Sequence, residues 1–233
     1  MNMPQVSIIL PTYNRARFLP FRIKEFVQQT HKDSELVIVN DASTDETELI
    51  LAEASKMDAR IKTITLSKNS KTVSIPRNIG IVNSTGKYII HWDDDDIHPK
   101  HSIEVLYNAL VSKPQDYILA YGDHLSIFAA KFSITRIPSW NPTAIQGWGV
   151  GNGEFIYKRC FDKVPLVFCT RACDWELCKL LYTIGKFHHE EEVIKYTIWH
   201  GNNRSLFPET KFVKFNVDDY AEYFPKNYKL IEV

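Results

Sequence analysis

The stretch that most constrains this chain is Tyr88-Ile89-Ile90-His91-Trp92-Asp93-Asp94-Asp95-Asp96-Ile97, an apolar β-like segment running into four consecutive carboxylates. Neighbouring like charges repel, and a buried core does not tolerate them unpaired. The segment must therefore end at a surface or a site. Two resolutions follow from the residues. In one, a divalent cation sits at the carboxyl end of the strand. Asp93 and Asp95 are two apart, so in an extended segment they face the same way and share the ion through hard oxygen ligands. In the other, the run is a solvated acidic turn, or extra negative charge at a helix start ahead of Lys100 and His101.

The residues before it repeat a simple alternation. Val6 to Leu10 is an unbroken apolar run ended by Pro11, the mark of a strand buried on both faces. Thr12-Tyr13-Asn14-Arg15 is a polar loop, and Phe18, Phe21, Ile23, Phe26 and Val27 carry helical spacing up to Gln29. Leu36 to Val39 is a second strand, ended by Asn40-Asp41-Ala42-Ser43-Thr44-Asp45. Ser43 or Thr44 is placed to cap a helix over 48–57, with Leu49 and Ile50 on its inner face. Ile61 to Leu66 reads as a strand. Ile75 to Asn83 reads as a helix after a basic loop of Lys68, Lys71 and Arg77, with Gly86 at its stop signal. Tyr88 to Trp92 is the fourth strand.

Strands alternating with helices imply an α/β fold with a mostly parallel central sheet flanked by helices. In such sheets the ligand sits outside the carboxyl ends of the strands. Thr12 to Arg15, Asn40 to Asp45 and Asp93 to Asp96 all fall there, so three polar clusters are expected to share one site.

Beyond Pro99, Ser102 to Leu110 reads as a helix, Tyr117 to Tyr121 as a strand, and Ile127 to Ile137 as an antiparallel element. A Trp/Gly/Pro-rich loop fills 138–153. Phe155 to Arg159 reads as a returning strand, Asp174 to Ile184 as a helix and Val193 to Trp199 as another strand; the tail from Phe207 carries one short helix. No linker is marked, so the expectation is a single domain over 1–233 with a nucleotide-binding half at 1–98. The second functional half is 99–233.

Composition excludes some classes. With 28 basic and 28 acidic residues, the net charge is zero, which argues against a nucleic-acid partner and leaves room for a local basic pocket. No stretch approaches the roughly 18 consecutive apolar residues of a transmembrane span, although peripheral membrane association stays compatible. Cys160, Cys169, Cys173 and Cys178 do not form a paired zinc pattern. With no signal peptide ahead of Met3-Pro4, they read as reduced thiols of a cytoplasmic protein.

Each candidate has a functional and a structural reading. Asp41 either accepts a hydrogen bond from a base such as uracil or forms an Asx turn. Arg77 and Lys71 either face phosphates or solvate a loop. Pro11 stands where a phosphate-binding loop would need glycine, so an ion must take over much of the phosphate neutralisation. Asp174 is either an N-cap or the general base of a group transfer, with Glu176 and Glu154 as competitors. His200 is either structural or a ligand beside a diphosphate and its ion.

Together, several segments resemble the inverting nucleotide-sugar transferases of glycosyltransferase family 2, which have the GT-A fold. They are Val6 to Arg15, Val37 to Thr47, Pro76 to Ile81, Ser84 to Ile89 and Asp93 to Asp96, in the family's order. The resemblance implies that Pro11, Thr12, Tyr13 and Arg15 line the nucleotide pocket, Asp41 contacts a uridine base, and Arg77 lies near the base and phosphates. It implies manganese or magnesium held by Asp93 and Asp95, with Asp96 beside them, either Asp95 or Asp96 making the direct bond, and Asp94 as the variable middle position on the donor side.

The resemblance implies that 99–233 is the acceptor-binding and catalytic-base half, with a smaller antiparallel acceptor-side part, and in it Gly151 to Arg159 resembles an acceptor-side segment. Cys173-Asp174-Trp175-Glu176-Leu177 resembles a Glu-Asp pair whose aspartate is the base, with Cys173 in the glutamate's place; His200, Asn203 and Ser205 resemble a late segment near the diphosphate. The implied reaction is one inverting displacement. A hydroxyl of a glycan or lipid-linked acceptor attacks a nucleotide-diphosphate sugar, as in polysaccharide biosynthesis, at the inner face of the membrane or in the cytoplasm. Rival readings are a nucleotide-sugar-binding protein without turnover and a sugar nucleotidyltransferase.

Overall fold

A computed structural model describes residues 3–128, 134–137, 155–160, 166–168, 173–199, 220, 222–224 and 230–232. The 138–153 loop, Glu154, His200, Asn203, Ser205 and the tail helix after Phe207 lie outside the described residues.

The unbroken apolar runs become the centre of one sheet. β1 (Val6–Thr12) pairs in parallel with β2 (Ser34–Asn40), and every residue of both is buried. β4 (Tyr88–His91) pairs in parallel on the other side of β1, and β3 (Ile61–Thr65) lies beyond β2. β1 extends one residue past Pro11. The strand tolerates it because Ile9, two residues back, directs its carbonyl to Trp92, and pairing with β4 stops there.

Alternate side chains face opposite layers. Ile9, Val37, Val39 and Ile89 pack with Ile75 and Ile79 of α3 (Ser74–Val82), and with Leu177 and Leu181 of α5 (Cys173–Tyr182). Ile8, Leu10, Leu36 and Ile90 pack with residues of α1 (Leu19–Gln28), α2 (Thr47–Met57) and α4 (Ser102–Val111). Gly80 sets how closely α3 lies on the sheet: a Cβ there would fall 2.5 Å from Ile9 Cγ2.

The inward faces differ from expectation in places. On α2, Leu51 and Ala54 are buried while Leu49 is 71% exposed, and on α1, Phe21 and Val27 face outward beside buried Leu19, Ile23 and Phe26. Hydrophobic spacing alone does not choose between rows that differ by one helical step. Neither Ser43 nor Thr44 caps α2. Asp45 Oδ1 receives the Thr47 amide at 3.1 Å, and the other two are used across the sheet edge.

The second half extends the same sheet. β7 (Phe155–Lys158) runs antiparallel to β4 and to β5 (Tyr117–Phe128), which therefore points the same way as β1 and β4. β6 (Ile134–Ile137) is antiparallel to β5. β9 (Lys186–Trp199) begins earlier than its apolar stretch suggests and pairs with β5 in parallel, through bulges around Gly122 and Asp123. Its partnership makes this half less antiparallel than expected. The order is β3-β2-β1-β4-β7-β5-β6, with β9 on β5; β8 (Leu166–Phe168) pairs separately with β10 (Leu230–Glu232). All six parallel-running strands thus end on one edge, where the polar clusters sit. Among the described residues, no helix is long and apolar enough to cross a membrane. Cys160 and Cys178 are buried free thiols.

Candidate active site

Cross-loop hydrogen bonds build the edge. Asn14, in a left-handed conformation at φ 52°, receives Thr44 N on Oδ1 at 2.7 Å and donates its own amide to Ser43 Oγ at 2.9 Å. Asp41 N donates to Thr12 O at 2.9 Å. The turn residues after β2 are therefore spent on fixing the loop after β1. Asp41 itself is buried. Its carboxylate takes Ser70 N at 2.8 Å, Ser70 Oγ at 2.9 Å and Asn69 Nδ2 at 3.1 Å, so it anchors the loop between β3 and α3. Asp41 thus ties down a neighbouring loop through Asn69 and Ser70, 28 and 29 residues further along the chain. Tyr13 is 40% exposed at the edge, and Pro11 is buried within β1 opposite Val39.

The four aspartates separate into different environments. Asp93 is half-exposed and accepts Arg77 Nη2 at 3.0 Å. Asp94 is buried, accepts Thr12 Oγ1 at 2.8 Å and lies 3.8 Å from Arg15 Nε. Burial, then the neighbouring charge of Asp95, pushes its carboxyl up to about 7. Asp95 lies 3.7 Å from Arg15 Nη2. Asp96 is buried against Lys195 Nζ at 2.7 Å, and burial raises it to about 6 although Lys195 opposes the rise. Backbone bonds between Ile97 and Tyr196, both 2.9 Å, fix the run to β9. Behind the run, Trp92 stacks on His98 at 4.0 Å, and Glu25 lies 3.4 Å from His98 and 2.7 Å from Arg22.

Among the described residues, no group of three or more His, Cys, Asp or Glu side chains is arranged to hold a metal ion. Asp93 lies in ion-pair range of Arg77 and Asp95 in that of Arg15, and Asp94 between them is raised first by burial and then by the charge of Asp95. That donor set suits a hard divalent ion only if a bound ligand supplies further oxygens. Asp96 is already neutralised by Lys195, which separates it from the others.

The second half brings one carboxylate to this edge. Asp174 lies in the first turn of α5, and Arg77 Nη1 meets its Oδ1 at 2.5 Å. His91 Nδ1 lies 3.4 Å from the same oxygen, and Tyr157 Oη lies 3.2 Å from His91 Nε2. Burial works to raise the Asp174 carboxyl, but Arg77 and then His91 hold it below the usual range. Its competitor Glu176 pairs with Lys179 at 2.8 Å on the helix surface.

Residues 7–164 match the model of glycosyl transferase family 2. The chain belongs to glycosyl transferase family 2. It is 36% identical over 130 residues to an uncharacterised glycosyltransferase of Haemophilus influenzae, covering 56% of this chain and 39% of that protein. Staphylococcus aureus TarS 1–349 in complex with UDP shares the fold at TM-score 0.67 and 16% identity, over 94% of this chain and 63% of that one. The mannosyltransferase PcManGT of Pyrobaculum calidifontis, in complex with GDP-Man and Mn²⁺, does so at TM-score 0.61 and 14% identity, over 89% and 60%. The chain thus spans well under half of the curated relative's length.

In this family 2 chain, the structure gathers Thr12, Arg15, Asp93, Asp94, Asp95, Arg77 and Asp174 by direct contact. Three participants carry weak sequence signals. His91 ends the otherwise apolar β4, Lys195 follows Val193 and Ile194 in the later part of β9, and Tyr157 sits in β7 between Ile156 and Lys158. A polar side chain at an inward strand position needs a partner, but only the fold shows which one.

Proposed function

We propose that the chain is an inverting glycosyltransferase, moving a sugar from a uridine-diphosphate donor to a hydroxyl of a glycan or lipid-linked acceptor. The observation that carries this reading is one guanidinium, Arg77, holding both Asp93 of the acidic run and Asp174. Donor-side charge and a carboxylate of the second half are thereby within one side chain of each other, as a direct displacement needs.

In this reading Asp174 takes the proton of the acceptor hydroxyl while the oxygen attacks the anomeric carbon and the diphosphate leaves. Arg15 and Arg77 offset the charge developing on the leaving group. Asp93 and Asp95 would hold a divalent ion, which when bound supplies further neutralisation of the diphosphate. Thr12, Tyr13 and Asp41 frame the base-binding end. Because a diphosphate facing Arg15 and Arg77 leaves without needing a general acid, one carboxylate suffices, unlike the pair used in glycoside hydrolysis.

The test is a panel of UDP- and GDP-sugars with Mn²⁺ or with chelator, run on the protein and on Asp174→Asn. Transfer or donor hydrolysis that needs the cation and falls about 10²–10⁴-fold in the variant is expected. Nucleotide binding with no turnover for any donor would instead mark a nucleotide-sugar-binding protein.

A further inference from the structure

We infer that His91 is a positioning residue for Asp174, donating from Nδ1 to fix one carboxylate oxygen and leave the other for the acceptor hydroxyl. This rests on the reading of Asp174 as the base.

The geometry begins in β4. His91 is the last residue of the strand, paired in register with Ile9, and its side chain is only 5% exposed. It lies between the base and a second buried group: Nδ1 faces Asp174 Oδ1 at 3.4 Å, and Nε2 faces Tyr157 Oη at 3.2 Å. The Tyr157 ring stands edge-on to the imidazole, 5.6 Å away at 83°. Tyr157 is fully buried on β7, the neighbouring strand.

This arrangement selects a tautomer. Asp174 Oδ1 is a carboxylate oxygen that only accepts, so the Nδ1 facing it carries the hydrogen, and the Tyr157 hydroxyl facing Nε2 is able to donate. A neutral imidazole has one donor and one acceptor nitrogen. With the phenol donating to Nε2, the proton resides on Nδ1 and points at Asp174. A neutral donor has a specific advantage here. Arg77 already places a full positive charge on Asp174 Oδ1, and a second cation would weaken the base further. His91 fixes the carboxylate plane without adding charge. Among the described residues, the contacts of Asp174 all fall on Oδ1, so Oδ2 is the oxygen available to take a proton.

A buried histidine that merely fills space would leave catalysis by Asp174 untouched, and this sets the experiment. The first arm reads the ring directly. Long-range ¹H–¹⁵N spectra at neutral pH, with His91 assigned by loss of its signals in His91→Phe, are expected to show the Nδ1-protonated neutral form. An Nε2-protonated ring or an imidazolium overturns the inference.

The second arm is a kinetic cycle with the donor found active in the UDP- and GDP-sugar panel. His91→Phe is expected to lower kcat at least tenfold, leaving the donor KM and the affinity for Mn²⁺-UDP unchanged. His91→Asn, with an amide nitrogen near the Nδ1 position, should recover much of the loss. Combined with Asp174→Asn, His91→Phe should change the residual rate less than twofold. Tyr157→Phe, the gentler variant, should cost a few-fold in kcat and likewise lose its effect in the Asp174→Asn background. Equal losses in both backgrounds show that His91 acts independently of Asp174 and overturn the inference alone. Full activity of Asp174→Asn by itself overturns the base reading as well.

Discussion

Arg77 Nη1 meets Asp174 Oδ1 at 2.5 Å across a separation of 97 residues, while Nη2 of the same guanidinium binds Asp93 at 3.0 Å. Arg77 is buried on α3, so its charge is neutralised by carboxylates of two different elements. Replacing it with Met leaves Asp93 and Asp174 facing each other without a cation. Stability should fall by about 3 kcal/mol, the low end for a broken buried pair because Asp93 is half-exposed. The Asp174 carboxyl should also rise, moving the acidic limb of the pH–rate profile to higher pH. Urea unfolding and the pH dependence of kcat check the two effects separately; an unmoved limb would mean that Arg77 does not set the basicity of Asp174.

Lys195 and Asp96 form a second buried pair at 2.7 Å, linking β9 to the end of the acidic run. Lys195→Met alone should destabilise the fold by about 3–5 kcal/mol, because an unpaired carboxylate stays buried. The double variant Lys195→Met with Asp96→Asn should cost clearly less than the sum of the single losses. Cation dependence of donor turnover should survive Asp96→Asn and be lost in Asp93→Asn. A loss in Asp96→Asn that Lys195→Met does not share would make Asp96 a direct ligand of the ion.

Gly80 lies on the same helix as Arg77, and its missing side chain lets α3 sit against Ile9. Gly80→Ala introduces a Cβ 2.5 Å from Ile9 Cγ2 in a packed core. The expected cost is about 1–3 kcal/mol, with a drop in kcat as Arg77 is displaced. Thermal melting and steady-state rates measured on the same preparation check both, and a wild-type melting temperature would show that the sheet simply yields.

The sheet was largely legible because its central strands are buried on both faces and read as unbroken apolar runs, which nothing else in a chain of this composition explains. The site was legible in part because strand ends lead polar clusters to one edge. Pairings across the chain were not. Nothing local in Asp96 distinguishes it from Asp95, and its separation from the run comes from Lys195, on β9, in a stretch whose bulged register with β5 has no sequence signature. Asp41 is similar: its residue type suits a base contact and a loop anchor equally, and Asn69 and Ser70 show the anchor. Leu49 and Leu51 are equally apolar, and only the docking angle of α2 puts one in the core.

The acidic end of the sheet should make stability fall as pH rises. Asp94 and Glu25 are both pushed up to about 7, in each case first by burial. Unfolded, such groups titrate near about 3.9 and 4.3. Between those values and 7 the folded protein holds protons that the unfolded chain has released, so the stabilisation is complete below about pH 4 and lost as pH approaches 7. Each group changes stability by up to about 1.4 kcal/mol per pH unit within its window. Asp174 and Glu35, held below their usual ranges, act in the opposite sense in the more acidic region, and the imidazoles of His31, His91, His98 and His124, lowered first by burial, act in the opposite sense as pH falls through about 6.5. In chelator, Glu25→Gln should raise the melting temperature over that of the parent protein more at pH 7.5 than at pH 5, without altering the response to cation, since Glu25 lies behind the run with His98 and Arg22. Mn²⁺ with UDP should raise the melting temperature more at pH 7.5 than at pH 5, because the Asp94 carboxyl beside the ion's proposed ligands carries its negative charge at the higher pH. An equal rise at both pH values would place the ion away from the acidic run.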